Sequence, residues 1–181
     1  MKLKFVKESG SLVQSTNEKE KATILGIIPR YAALPLLIVV AWNMCVYFGN
    51  RIFSSNLYHY DFTTSLDEKI PLIPWTIVIY LGCYLFWIIN YILSCRDNRE
   101  KALRFTSADV IGKTVCLLFY VFLPTTNVRP EIVGNDVFSQ MMNWLYGTDA
   151  ADNLLPSIHC FVSWMCFIGV RNSPKVPSWW K

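Results

Sequence analysis

Residues 153–164 read NLLPSIHCFVSW, and residues 123–132 read LPTTNVRPEI. Between them they hold groups suited to one task. Arg129 carries a permanent forked cation that grips phosphate oxygens two at a time, which lysine does not match. Pro156 suits the first turn of a helix, where its missing N–H costs nothing. The other first-turn N–H groups and the helix dipole then make a ready anion site. The Ser157 hydroxyl adds a hydrogen bond, and the His159 imidazole, in the same turn, is placed to exchange a proton with whatever the turn holds. Ser163 and Cys166 continue a small, weakly polar face deeper into the helix, which should turn toward other helices. A phosphate group is the ligand these groups share, provided Arg129 and the helix mouth lie at one depth. Each also has a plainer use. Pro-Ser is an ordinary helix start, an arginine after an apolar run is an interfacial anchor, and a histidine at a helix mouth can simply be hydrated.

The elements that must position these groups are membrane spans. Of the 181 residues, 53% are hydrophobic and only 17% charged, where soluble domains carry about 25%. Residues 1–28 form a polar, basic tail, too long before its first apolar run for a signal peptide. Residues 29–181 form an all-α, polytopic membrane helix bundle with four predicted spans, at about 31–48, 72–94, 108–124 and 154–170. The first two are free of charge and long enough for the roughly 20 residues a crossing needs. In the third, Ser107 and Asp109 make a helix start and Pro124 a stop, and Lys113 near the start snorkels toward the headgroups. Pro35 is expected to kink the first span.

Lysine and arginine alternate along these connections. Six lie before span one, two (Arg51 and Lys69) between spans one and two, and four (Arg96, Arg99, Lys101, Arg104) between spans two and three. Only Arg129 lies between spans three and four, against Glu131, Asp136, Asp149 and Asp152; Arg171, Lys175 and Lys181 come after span four. Positive charge stays inside, so the N-terminus is cytoplasmic, and both Arg129 and LPSIH face outward. The acidic segment 131–152 reads as a solvated loop without calcium-loop spacing. His59 reads as a loop histidine, and Asn43 and Asn90 as hydrogen-bonding groups between helices. The six cysteines show neither C-x-x-C pairs nor zinc spacing and read as small apolar residues. No metal and no organic cofactor is implied. Without a basic stretch interleaved with aromatics, no nucleic acid is expected as a partner. Trp179 and Trp180 read as interfacial anchors where a fifth span would begin.

With RP upstream of LPSIH, the sequence resembles the type 2 phosphatidic acid phosphatase superfamily of lipid phosphate phosphatases and phosphotransferases. More narrowly it resembles the bacterial branch grouped with inositol phosphotransferases. The resemblance covers roughly residues 29–181 and implies a bundle of six helices in the plasma membrane, with its site at the extracytoplasmic surface. Of the family pattern K-x6-R-P, P-S-x-H, S-R-x5-H-x3-D, the second part matches at Pro156, Ser157, Ile158 and His159. The first matches at Arg129 and Pro130 only, its lysine position falling on Phe122. The third is absent, since no histidine comes after His159. The resemblance implies that Arg129 and Ser157 bind the phosphate of a lipid phosphate or diphosphate and that His159 is the catalytic general acid. The absent third motif would supply the nucleophilic histidine and the aspartate that orients it. The expectation is therefore a truncated member, inactive as this chain. The alternative is a non-catalytic four-span protein that binds lipid headgroups or a partner subunit; a small transporter has less support, since beyond the expected helix start at Asp109 only Lys113 is charged within the expected spans.

Overall fold

The computed structural model describes residues 23–24 and 26–181, and five helices carry the fold there. Helix α1 is Arg30–Ser54, interrupted by a π-helical stretch at Cys45–Gly49. Helix α2 is Ile77–Ser94, entered through a 3-10 turn at Pro74–Thr76 with proline in its first position. Helix α3 is Arg99–Phe122, α4 is Val137–Thr148 and α5 is Ile158–Arg171. Of the expected tail at 1–28, only residues 23–24 and 26–28 are described; there Thr23–Ile24 pairs antiparallel with Ile28–Pro29.

Three of these helices, α1, α2 with its entry turn, and α3, are long and apolar enough to cross a membrane. Their outer faces carry apolar side chains turned away from the protein, such as Leu34, Leu37, Ile79, Leu85 and Ile111. Helix α5 is apolar but has only 14 residues. At 1.5 Å per residue it rises roughly 21 Å, against a hydrocarbon core of about 30 Å.

Two segments differ from the sequence expectation. Helix α3 begins at Arg99, not near 108. Asn98 accepts from Lys101 N at 2.8 Å, and Glu100 pairs with Arg104 one turn on at 2.6 Å. These charges extend the helix beyond the apolar stretch instead of ending it. Lys113 consequently sits in mid-helix rather than near an end. The acidic segment contains α4: Asp136 caps it by accepting from Phe138 N and Ser139 N. Ser139 and Met142 are buried, while Val137 and Trp144 face out. Helix α4 packs against the start of α2, an amphipathic helix lying on the end of the bundle.

In the bundle, α1 packs on α3, α3 on α5, and α5 on α2, while α1 and α2 scarcely meet. Two glycines permit the close approaches. A Cβ on Gly112 would strike the Phe161 ring, and one on Gly169 would strike Ser94 and Phe105, as small residues allow between membrane helices. The gap left between α1 and α2 is an apolar cleft of about 750 Å³, floored by α3 and α5.

Arg96, Lys101 and Lys175 gather at one end. Asp97 takes Lys101 Nζ at 2.6 Å and Ser173 Oγ at 2.5 Å, and Lys175 Nζ donates to the carbonyls of Arg96 and Asp97. From there the chain turns back along α2, where Trp180 Nε1 donates to Asn90 Oδ1 at 2.9 Å. The LPSIH residues lie at the opposite end.

Candidate functional site

The segment leading into α5 is fixed before the helix begins. Tyr120 of α3 donates to Pro156 O at 2.6 Å, Thr125 Oγ1 accepts from Leu154 N at 2.9 Å, and Thr126 Oγ1 donates to Ala151 O at 2.6 Å. From α1, Asn50 Nδ2 donates to Asn153 Oδ1 at 2.7 Å, and Arg51 forks onto Asp152 at 3.0 and 3.3 Å. The wide turns at Cys45–Gly49 shift the register of the last turns of α1, and the shift presents Asn50 and Arg51 to this segment.

Ser157, not Pro156, starts the helix. Ser157 is its N-cap and accepts from Cys160 N at 3.3 Å, with Pro156 one residue outside. The Ser157 hydroxyl oxygen is thus committed to the cap, though its proton remains free to be donated. His159 lies in the first turn, half-buried. Its Nε2 is 3.1 Å from Tyr80 Oη, and its ring packs on Tyr80, Tyr84 and Trp87. Those three residues and Tyr91 recur at helical spacing on one face of α2. Deeper in α5, Ser163 accepts from Trp87 Nε1 at 3.1 Å but stays exposed, whereas Cys166 is buried, so only the deeper part of that face turns inward.

Arg129 is reached through two further groups. Tyr80 donates to Asp149 Oδ2 at 3.3 Å, and Asp149 Oδ2 stands 3.6 Å from Arg129 Nη2. Arg129 also donates to the carbonyls of Asp149 and Ala150 and lies over the Tyr146 ring. Arg51 Nη2 approaches the other oxygen of Asp149, again at 3.6 Å. Burial, and secondarily the Asp152 carboxylate, push Asp149 up to about 6, while the two guanidinium groups pull the other way. Arg129 and His159 therefore belong to one hydrogen-bonded cluster; Ser157 borders it through the helix start alone.

The sequence pattern did not single out Arg51, Tyr80, Asp149 or Asp152. The stripe at 80, 84, 87 and 91 was visible as helical spacing; the pairing of Arg51 with residues a hundred positions later had no local signal. A second polar group lies mid-bundle. Lys113 Nζ is 2.8 Å from Asp109 Oδ2, and Tyr91 donates to Asp109 Oδ1 at 2.5 Å. Both charged side chains are buried, so Lys113 does not snorkel and Asp109 is not a helix start. Asn90 hydrogen-bonds Phe86 O in its own helix as well as Trp180, and Asn43 lines the cleft. His59 Nδ1 faces Leu57 O on an exposed loop.

Two cavities flank the cluster. The apolar cleft runs between α1 and α2 from Tyr84 and His159 to Tyr91 and Lys113. The other, about 720 Å³, lies over Arg129 and is walled by Asp61, Asp67, Glu68 and Glu131.

The chain is thus a mostly helical protein with three helices fit to cross a membrane and a half-buried cluster of arginine, carboxylate, tyrosine and histidine at one end. No family model matches it, and no curated protein and no solved structure does either.

Proposed function

We propose that this chain forms the phosphate-holding and proton-donating part of a lipid phosphate phosphatase or phosphotransferase site. The site lies at the extracytoplasmic ends of four membrane helices, with α5 as the short fourth span. The N-terminus lies in the cytoplasm with the Arg96, Lys101 and Lys175 end. Arg129 and the Ser157 hydroxyl hold the phosphate, and His159 protonates the leaving oxygen, a contribution worth roughly a hundredfold to ten-thousandfold in rate. The observation that carries the reading is the join between two environments. His159 stands at the mouth of an apolar cleft of about 750 Å³ and is linked through Tyr80 and Asp149 to Arg129. A lipid phosphate has the same two parts, an apolar chain and an anionic head.

The sequence holds no histidine after His159, so the phosphohistidine-forming nucleophile is not among these residues. Binding without appreciable turnover is the expected behaviour. The test uses the 181-residue chain in nanodiscs, titrated with dioctanoyl phosphatidic acid and, separately, dioctanoylglycerol. The phosphate form should bind at least tenfold more tightly, and Arg129→Ala should remove about that preference, since a charge-assisted hydrogen bond contributes about 1.5–3 kcal/mol. Equal binding of the two lipids would sink the proposal. Steady hydrolysis that is lost on His159→Ala would show that the chain carries its own nucleophile.

One observation favours the non-catalytic alternative. Arg129 already donates to two backbone carbonyls, and the Ser157 oxygen accepts the cap bond. On that reading both residues hold the α5 segment in place, and the cleft takes a lipid or a partner helix without regard to phosphate.

A further inference from the structure

Asp149 is surrounded like a ligand. Arg51 of α1 and Arg129 of the α3–α4 connection each stand 3.6 Å from one of its two carboxylate oxygens. Tyr80 of α2 donates to Oδ2 at 3.3 Å and is itself 3.1 Å from His159 of α5. Yet Oδ1 is buried and takes no hydrogen bond from the described residues. An Nη2 of each guanidinium and the Tyr80 phenol converge on one poorly satisfied carboxylate, while the hydrogen bonds of Arg51 go to Tyr47 and Asp152 and those of Arg129 to the carbonyls of Asp149 and Ala150. The converging groups suit a tetrahedral anion, which offers more oxygens and more charge. The family pattern that the sequence resembles implies one more cation, at the position held here by Phe122, which is exposed at the end of α3. Arg51 is the other cation that reaches the cluster.

We propose that Arg51 and Arg129 together form the phosphate cradle, and that the Asp149 carboxylate occupies this cradle until a lipid phosphate displaces it. This rests on the reading of the site given above and adds to it a second binding residue and an internal competitor. Charge argues the same way. Arg51 and Arg129 balance Asp149 and Asp152, so a phosphate entering with all four ionised meets no net positive charge. Asp149 must swing out or take up a proton, whereas Asp152, forked onto Arg51 at 3.0 and 3.3 Å, keeps Arg51 aimed. A carboxyl already pushed up to about 6 by burial gives up its charge with little change in pH.

The test compares dioctanoyl phosphatidic acid binding by the whole chain in nanodiscs with and without Asp149→Asn, Asp149→Ser, Arg51→Gln and Arg129→Gln. Removing the competitor should tighten binding at least tenfold in either Asp149 variant. Removing either cradle cation should weaken it at least tenfold. The serine variant and a thermal melt of each protein guard against a variant that merely folds poorly. If neither Asp149 variant binds more tightly, or Arg51→Gln binds like the parent while Arg129→Gln does not, the cradle is wrong and the single-arginine site stands. If no variant distinguishes the phosphate from dioctanoylglycerol, the site reading and the cradle fall together.

Discussion

The ion pair buried in mid-bundle makes a sharp test of the packing. Lys113 and Asp109 are 3% and 0% exposed, with Nζ and Oδ2 2.8 Å apart. At an effective dielectric constant of 20 their attraction is roughly 6 kcal/mol. Most of that offsets the removal of two charges from water. Replacing Lys113 by Met leaves the Asp109 carboxylate with the Tyr91 hydroxyl as its hydrogen-bond donor, and should cost about 3–5 kcal/mol. Replacing Asp109 by Leu strands Lys113 and the Tyr91 hydroxyl and should cost at least as much, since an unsatisfied buried hydroxyl adds about 1–3 kcal/mol. The double variant removes both charges and keeps the apolar volume. It should cost far less than the two singles together, with a coupling of more than about 2 kcal/mol. The assay is unfolding of the detergent-solubilised chain by increasing sodium dodecyl sulfate, monitored by circular dichroism. Additive costs, or a Lys113→Met cost below about 1 kcal/mol, would mean that water or lipid headgroups reach the pair and that it is not buried as described.

Two other measurements bear on separate parts of the molecule. Asp149 binds its proton more tightly folded, near 6, than unfolded, near 3.8, so stability should fall as pH rises from about 4 to about 6. Relative to Asp149→Asn, the parent should lose up to about 3 kcal/mol over that interval; a difference flat with pH would mean that the Arg51 and Arg129 attraction prevails over burial. Gly169→Ala should destabilise by about 1–3 kcal/mol, because its Cβ strikes Ser94 and Phe105. Gly82→Ala, with open space around it, should cost nothing or gain up to about 1 kcal/mol in helix propensity, and equal effects from the two would refute the close contact of α5 with α2.

The parts of the fold legible in the sequence are those whose signal is local. The first two apolar runs contain no charge, and nothing but a helix satisfies their backbone in lipid. The start of α3 was not legible from hydropathy, because Arg99, Glu100, Lys101 and Arg104 lie on a helix that continues past the apolar stretch. Its signal was Asn98 as a cap. Helix α4 likewise begins with Asp136 before an apolar periodic run, a pattern obscured by the acidic residues at 149 and 152. At the candidate site, Ser157 and His159 were singled out by type and spacing, one residue out of register with the helix start. The Arg51–Asp149–Arg129 arrangement was out of reach, since it depends on the π-helical turn in α1 and on a segment a hundred residues away. Asp109 and Lys113, at i and i+4, could have been read as a pair; treating one as a helix start and the other as a snorkelling end residue separated them.

The two cavities beside the cluster bear on how a phosphate would arrive. From water, the way to Arg129 leads between Asp61, Asp67, Glu68 and Glu131. Asp61 and Asp67 are held below the usual carboxylate range by the side-chain and then the backbone groups of Thr63 and Thr64, so both stay ionised at neutral pH and repel a soluble anion. From the membrane, the way leads along the apolar cleft between α1 and α2, where the two helices leave each other free and Tyr84 and His159 stand at the mouth. In the proposed function, a phosphate carried on a lipid would bypass the carboxylates and meet an imidazole and a phenol first. On that reading the acidic wall and the unpacked helices act together. One disfavours free phosphate, the other admits a tethered one, and a preference for lipid over soluble phosphates then needs no contact with the lipid's head beyond the phosphate itself.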